Sequence, residues 1–377
     1  MMETETVASS GTMKIACSRD ELAHKLGIVS RGVSARTAVQ ILTGILLRAE
    51  AGTLSIAATD MELSLRTSLD AQVEGEGAVV VPGRLLLDIA RGLPESDVSI
   101  EHKAEESAVQ ITCGSAVYRL NTYAADDFPR LPELAASALH AVDREALLET
   151  IGRVSRSASR DESRPVLTGI LVRFEPGKLV MAATDSYRLS VKETAIEGEL
   201  PELEAIVPAR ALGELSRVAQ GADEIQLGVD ENHVFFTTDG AWLTTRRIDG
   251  QFPNYKQLLP EAFEHEVTLP RDELLDVVRR MGVMAQRNSP LRLRFAEGEL
   301  TVSAQTQDVG EARETIPAAF SGEPLEIGFN AEFLRDGIES VAGDEVQLRL
   351  ISPLRPAVMQ AEGDAFTYLI MPIRLAG

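Results

Sequence analysis

Apolar residues fall at helical spacing at three places along the chain: Leu22, Leu26 and Val29; Leu147, Ile151 and Val154; Leu274, Val278 and Met281. Each set stands at i, i+4 and i+7, one stripe of an amphipathic helix. Ser18 with Glu21 forms a capping-box pattern ahead of the first set, and Asp143 can cap the second. Downstream the period changes from helical to alternating. Thr53–Ala57, Glu62–Arg66, Val98–Glu101, Ala108–Cys113 and Val117–Thr122 alternate and are rich in β-branched residues, which predicts strands of antiparallel sheets. A second helix is expected after each of Pro82, Pro208 and Asn330.

The recurrence extends to the residues themselves. Leu42-Thr-Gly-Ile-Leu-Leu-Arg48 returns as Leu167-Thr-Gly-Ile-Leu-Val-Arg173, and Ala57-Ala-Thr-Asp60 returns in the same register as Ala182-Ala-Thr-Asp185. Val81-Pro82 is matched by Val207-Pro208, and Phe128-Pro129 by Phe252-Pro253. A fainter third copy is marked by Gly298-Glu-Leu-Thr-Val-Ser-Ala, which echoes the segments that begin at Gly52 and Gly177. A fixed order of blocks at nearly one spacing is the mark of an internal repeat. The fold class is therefore α+β: three repeated units, each with two helices and antiparallel sheets. They run over 13–136, 137–263 and 264–377, and Met1–Thr12 reads as a disordered extension. The joints fall near Pro129–Leu134 and Pro253–Phe263, proline-bearing segments that read as linkers.

A chain of 377 residues exceeds one ordinary core, in keeping with several units. No apolar stretch approaches the length needed to span a membrane, and the polar start lacks the pattern of a signal peptide. The only cysteines, Cys17 and Cys113, make no disulfide framework, which fits a reducing cytoplasm.

Catalytic patterns are missing. There is no GxxxxGK[ST] loop, no GxGxxG before a helix, no HExxH, no GxSxG elbow and no Cys/His ligand spacing, so neither cofactor nor metal is expected. Asp60 and Asp185 could pass for paired carboxylates of acid–base work. Each sits at a strand-to-turn junction, where Thr and Asp bond the local backbone, and that reading is preferred. A triad assembled in space would escape this search, so an enzyme with a dispersed site is one alternative. A scaffold of the same units that binds no DNA is another.

The formal charge of −21 speaks against a nucleic-acid binder when averaged over the surface. The distribution says otherwise. Leu22–Arg48 carries Lys25, Arg31, Arg36 and Arg48 without an acid, and Val277–Phe295 carries Arg279, Arg280, Arg287, Arg292 and Arg294 without one. Arg153, Arg156, Arg160 and Arg164 fill the equivalent place in the second unit, against Asp161 and Glu162. On the second helices Arg84 and Arg91, and again Arg210 and Arg217, stand at i and i+7, one face each. The third copy has Glu332 and Glu339 instead. Cations at helix C-termini can simply complement the dipole, but Arg84 and Arg210 lie near helix starts. A shared basic surface explains both.

From Met13 to Leu375 the chain resembles the bacterial DNA sliding clamp family, the beta subunit of DNA polymerase III. The residues that carry the resemblance are Lys14-Ile15, Leu42-Thr-Gly-Ile, Ala58-Thr59-Asp60, Val81-Pro82, Arg91-Gly-Leu-Pro94, Asp127-Phe-Pro129 and Ala183-Thr184-Asp185. They continue with Phe252-Pro253-x-Tyr255, Ile327-Gly-Phe-Asn330 and the closing Leu369-Ile-Met-Pro-Ile-Arg-Leu375. The resemblance implies a chain forming half of a ring, a head-to-tail homodimer with helices lining the hole. It implies DNA-facing roles for Arg36, Arg84, Arg91, Arg164, Arg210 and Arg217. It implies a partner groove at Leu167, Thr184, Ser186, Tyr187, Arg188, Leu189, Pro253, Leu258, Asn330, Phe333, Met371, Pro372, Ile373, Arg374 and Leu375. Ser186-Tyr187 stand where Gly-His is common in the family, and Gln257 where a basic residue is common, differences that bear on partner affinity.

The implied partners are double-stranded DNA without sequence preference, the replicative polymerase alpha subunit, the clamp loader, and other polymerases and repair proteins that carry clamp-binding peptides. The expected joint between chains uses the strand Val117–Thr122, with Tyr118 and Leu120, against the partner near Val283. Physical reasoning is in accord: a protein that slides cannot read bases and needs sparse, exchangeable phosphate contacts. The apolar, proline-stiffened tail has the composition of an anchor site for short peptides.

Overall fold

The computed structural model describes residues 13–34, 37–94, 97–135, 139–196, 203–285, 289–306 and 310–375. The expected extension Met1–Thr12 lies outside these residues, as does Arg36. The chain divides into two compact units. One takes the chain up to Arg144 together with Glu214–Arg247, and the other takes Glu145–Gly213 and everything from Ile248 onward.

In the first unit, α1 (Arg19–Val29) and α2 (Gly83–Gly92) are the two helices that the pattern predicts. Ser18 caps α1, its hydroxyl accepting from the Glu21 N–H at 3.5 Å. The stripe Leu22, Leu26 and Val29 is buried with Leu86, Ile89 and the inward residues of the strands, among them Ile15, Leu47, Ile56, Val81 and Ile100. Burying each such side chain is worth roughly 1.5–3 kcal/mol, enough to fix which face of the helix turns inward. A five-stranded antiparallel sheet runs Gln72–Gly75, Lys14–Ser18, Asp97–Lys103, Ala108–Cys113, Ala116–Asn121. An eight-stranded sheet runs His140–Val142, Ile225–Val229, His233–Thr238, Ala241–Arg246, Leu63–Asp70, Thr53–Thr59, Gly44–Glu50, Gly77–Pro82.

The second unit holds α3 (Arg144–Val154) from Glu145 on, the single turn α4 (Pro165–Thr168), the start of α5 (Ala209–Val218), α6 (Arg271–Gly282) and α7 (Ala331–Ser340). Its eight-stranded sheet runs Leu203–Pro208, Gly169–Glu175, Lys178–Thr184, Arg188–Ala195, Phe366–Ile370, Ala357–Gln360, Glu345–Leu350, His265–Pro270. A four-stranded sheet runs Gly310–Pro317, Glu299–Thr306, Leu291–Ala296, Leu325–Phe329. The third stripe, Leu274, Val278 and Met281, is buried with Phe295, Phe329, Ile338 and Tyr368.

Both large sheets cross the sequence repeat. Trp242 of the middle repeat pairs with Arg66 of the first, and Lys192 of the middle repeat pairs with Phe366 of the third. The middle repeat thus gives half its strands to each unit. The segment Pro253–Phe263 also departs from the expectation of a simple linker. Phe252 and Tyr255 are buried with Leu171, Leu189 and Leu369, and Phe263 packs against the same cluster. Three aromatic rings in a short segment repay burial more than exposure.

Candidate nucleic-acid interface and partner groove

Helix ends bring the basic residues of the first unit together. The last turns of α1 and α2, the turn Ser30–Gly32 and the last turn of α5 place Lys25, Arg31, Arg91 and Arg217 around one cavity of about 670 Å³. Asp239 is the one acid on its wall among the described residues, and the Thr238 hydroxyl beside it is buried with no hydrogen-bond partner among them. Arg31 and Arg217 both reach Glu214, at 3.1 and 2.6 Å. Of the sequence-predicted DNA-facing set, Arg91 and Arg217 are therefore neighbours. Arg84 is exposed at the start of α2. In the second unit Arg210 is exposed at the start of α5. Arg164 there pairs with Asp161 at 3.1 Å and donates to the Ser186 hydroxyl at 3.0 Å. Sequence reasoning singled out Lys25 and Arg31 only as part of an acid-free run, and missed Glu214 altogether, because a lone acid among basic residues carries no spacing signal.

The predicted groove residues all belong to the second unit. The turn between Lys178–Thr184 and Arg188–Ala195 is held from within. The Thr184 hydroxyl accepts from the Ser186 N–H at 3.1 Å, and Asp185 Oδ1 accepts from the Tyr187 and Arg188 N–H groups at 2.9 and 3.0 Å. The equivalent Thr59 and Asp60 do the same for Met61, Glu62 and Leu63. Met61 and Ser186 accordingly share a positive φ, +79° and +81°. These carboxylates are turn anchors, as the strand-to-turn reading expects. Ser186 and Tyr187 stay exposed on the rim.

Arg188 lies beneath that rim, 7% exposed. It bonds Asp185 at 3.1 Å and Asp336 at 2.6 Å. Asn330 caps α7, its Oδ1 accepting from the Phe333 N–H at 3.0 Å, and the Tyr368 hydroxyl donates to the Phe333 carbonyl at 2.8 Å. Burial pushes the Tyr368 hydroxyl well above its ordinary range, against the pull of Arg188, so it stays a neutral donor.

The tail is docked. The Met371 N–H donates to the Tyr187 carbonyl at 2.8 Å and the Ile373 N–H to the Gly328 carbonyl at 2.7 Å. Gly328 is required there: a Cβ would come 2.5 Å from Leu375 Cδ2 and 3.0 Å from the Ile373 oxygen. Pro372, Ile373 and Leu375 are half-buried, whereas Met371 and Arg374 are exposed. Leu167, Thr184 and Leu189 are buried behind the surface, and Pro253 and Leu258 are exposed beside the cluster that holds Leu189. Tyr187, Leu258 and Met371 are thus exposed large apolar side chains supported by buried ones.

The residues predicted for the joint between chains separate. Ala116–Asn121 is the last strand of its sheet, with Val117 and Tyr118 exposed. The Leu120 side chain packs into the core of its own unit. Val283, just past α6, is 84% exposed. In the four-stranded sheet Gly310–Pro317 is likewise an edge.

Nothing else among the described residues assembles into a reactive centre. No group of three His, Cys, Asp or Glu could hold a metal ion, and no helix is long and apolar enough to cross a membrane. A cavity of about 400 Å³ in the first unit has Cys17 on its wall with Glu21, Asp70 and Asp97. Burial, reinforced by Glu21 and Asp97, pushes that thiol up to about 12, so it offers no thiolate near neutral pH.

Three family models for the DNA polymerase III beta subunit match in succession: the N-terminal domain over residues 13–132, the central domain over 141–254 and the C-terminal domain over 256–374. The chain belongs to the DNA polymerase III beta subunit family. It is 38% identical to the beta sliding clamp of Synechococcus elongatus over 375 residues, 96% of this chain and 100% of that one. It is 35% identical to the beta sliding clamp of Streptomyces coelicolor, across 97% of this chain and 100% of that one. Among solved structures it is similar to the sliding clamp (DNA polymerase III subunit beta) of Pseudomonas aeruginosa bound to griselimycin, with a TM-score of 0.89 and 28% identity over 97% of this chain and 100% of that one. As in those sliding clamps, the fold combines helices with antiparallel sheets.

Proposed function

We propose that the chain is the processivity clamp of a replicative DNA polymerase, acting mechanically and turning over no substrate. Two copies joined head to tail, each of three repeats over 13–136, 137–263 and 264–377, form a ring around duplex DNA. The observation that carries the reading is the convergence of Lys25, Arg31, Arg91 and Arg217 on helix ends in a chain whose formal charge is −21. Cations gathered at one place face phosphates, while the acidic remainder limits adhesion elsewhere. Arg36, Arg84, Arg164 and Arg210 are assigned the same DNA-facing role.

The open edges Ala116–Asn121 and Gly310–Pro317 supply strands for the joints, with Tyr118 and Val283 beside them. The surface of Tyr187, Leu258, Met371 and Phe333 supports a groove for short peptides of polymerases, the clamp loader and repair proteins. The test is topological. Protein loaded by the host's clamp loader stays on a closed circle of DNA and leaves once the circle is cut. Equal retention on both forms overturns the reading.

A further inference from the structure

The basic helix ends do not stand alone. In the first unit the Glu214 carboxylate lies between Arg31 at 3.1 Å and Arg217 at 2.6 Å. In the second unit the Glu339 carboxylate lies between Arg156 and Arg279, the latter at 2.9 Å. The two arrangements correspond in part: Arg217 lies on α5, a second helix, and Arg279 on α6, a first helix. Arg31 and Arg156 hold the same place in the repeat, after Val29-Ser30 and Val154-Ser155, each in the short turn that closes a first helix. In both cases the acid comes from the second helix of the following repeat. In the register that aligns Pro208 with Asn330, Glu214 corresponds to Asp336, one turn before Glu339, and Asp336 itself lies 3.7 Å from Arg156. Two repeats therefore meet one requirement with acids from different turns. In each, the acid is sheltered, with side-chain exposures of 14% and 19%, and the four guanidiniums stand outside it at 39–55%.

We propose that Glu214 and Glu339 are built-in stand-ins for DNA phosphate, which keep the clamp's arginines from gripping the backbone it slides along. The proposal rests on the reading of these helix ends as DNA-facing. Glu214 reduces the charge of two guanidiniums to a net of one, and Glu339 does the same for its pair with further acid from Asp336 at 3.7 Å and Asp276 at 3.8 Å. A phosphate that approaches Arg31 or Arg217 must replace an anion already seated between them, so one partner is exchanged for another and the net gain is small. An unopposed arginine would instead release a counterion for every phosphate it meets and pause there. Shallow wells in succession are what free sliding requires. The acids in the third copy of a basic pattern, Glu332 and Glu339, lose their anomaly in part: Glu339 provides the counter-anion.

The test is single-molecule tracking of the loaded ring on stretched duplex DNA. Glu214→Gln keeps the side chain's size and an acceptor but removes its charge, and Glu339→Gln repeats the change at the independent second site, should the first disturb folding. Each slows diffusion roughly threefold or more at low salt, and the difference vanishes at high salt as phosphate binding weakens. Glu266→Gln is the charge-matched control, since Glu266 pairs with Arg349 at 2.6 Å and is exposed, whereas its neighbour Val267 turns inward to the core that holds α6. It diffuses as the parent does. Unchanged or faster diffusion of both clasp variants at low salt, slowing that persists at high salt, or equal slowing by Glu266→Gln overturns the proposal. Release of the parent ring on cutting a circle tests encirclement separately, so the two ideas fail by different results.

Discussion

The guanidinium carbon of Arg188 lies over the ring of Phe333, 4.2 Å from its centroid. Arg188 is at the same time the shared partner of Asp185 and Asp336. One buried cation therefore fixes the rim turn, the first turns of α7 and the aromatic wall of the groove. Arg188→Met takes from Asp185 its guanidinium partner and leaves Asp336 to Arg335 at 3.4 Å and Arg156 at 3.7 Å; removing one partner of a buried pair costs up to about 3–5 kcal/mol. Denaturant unfolding should register that loss, and peptide affinity should fall with it. A variant as stable as the parent would show that the Asp185 and Asp336 charges are satisfied without Arg188.

The tail can be dislodged without being removed. Gly328→Ala puts a methyl group 2.5 Å from Leu375 Cδ2 and 3.0 Å from the Ile373 carbonyl oxygen, so the tail must shift to admit it. Peptide binding by calorimetry should weaken about ten- to a hundredfold, the worth of one buried apolar anchor. Deletion of residues 371–377 should have at least that effect. Melting temperature should move little in the deletion, because Phe366–Ile370 keeps its pairing with Arg188–Lys192. Undiminished binding by the deletion would remove the tail from the groove.

Replacing Arg84, Arg91, Arg210 and Arg217 together by Ala should shorten retention on circular DNA and flatten its dependence on salt, by roughly one unit of log–log slope for each phosphate that is no longer neutralised. Base sequence should make no difference before or after the change. A footprint at a preferred site in random DNA would contradict this.

Asp364 should contribute to acid lability. Burial alone would push its carboxyl up. Hydrogen bonds and charge from Arg153 and from Lys192, the latter at 2.6 Å, outweigh burial and hold it below the usual carboxylate range. A carboxylate depressed by folding adds stability that is complete above the unfolded value, about 3.9, and is lost as pH falls through the folded value. Asp364→Asn should therefore be less stable at neutral pH and lose less than the parent on acidification toward pH 3. Parallel pH profiles of unfolding would assign the acid sensitivity elsewhere.

Local features were legible in the sequence and non-local ones were not. Leu22, Leu26 and Val29 announce α1 because their spacing is internal to one helix, and the Thr-Asp turns announce themselves because their bonds close within four residues. The pairing of Trp242 with Arg66 joins residues far apart, and no periodicity encodes it. Arg188 was expected at a groove. Its burial was hidden, since its partner Asp336 comes from a helix remote in sequence. The burial of Leu120 beside exposed Val117 and Tyr118 was not legible either, because it depends on which core the strand packs against. The bond from Arg164 to Ser186 was also hidden, because the two residues lie on different elements.

The sheets that run across the repeats also bear on ancestry. A stretch of chain copied by duplication ordinarily yields bodies that fold alone and are then joined. Here a fragment cut at the sequence boundaries would leave Leu63–Arg66 or Trp242–Thr245 with one edge raw and prone to adhere to its own kind. The length of chain that was copied and the length that can fold are different. The modern repeats no longer constitute separable parts: they can be edited in place, but not shuffled, lengthened by one or lent to another protein.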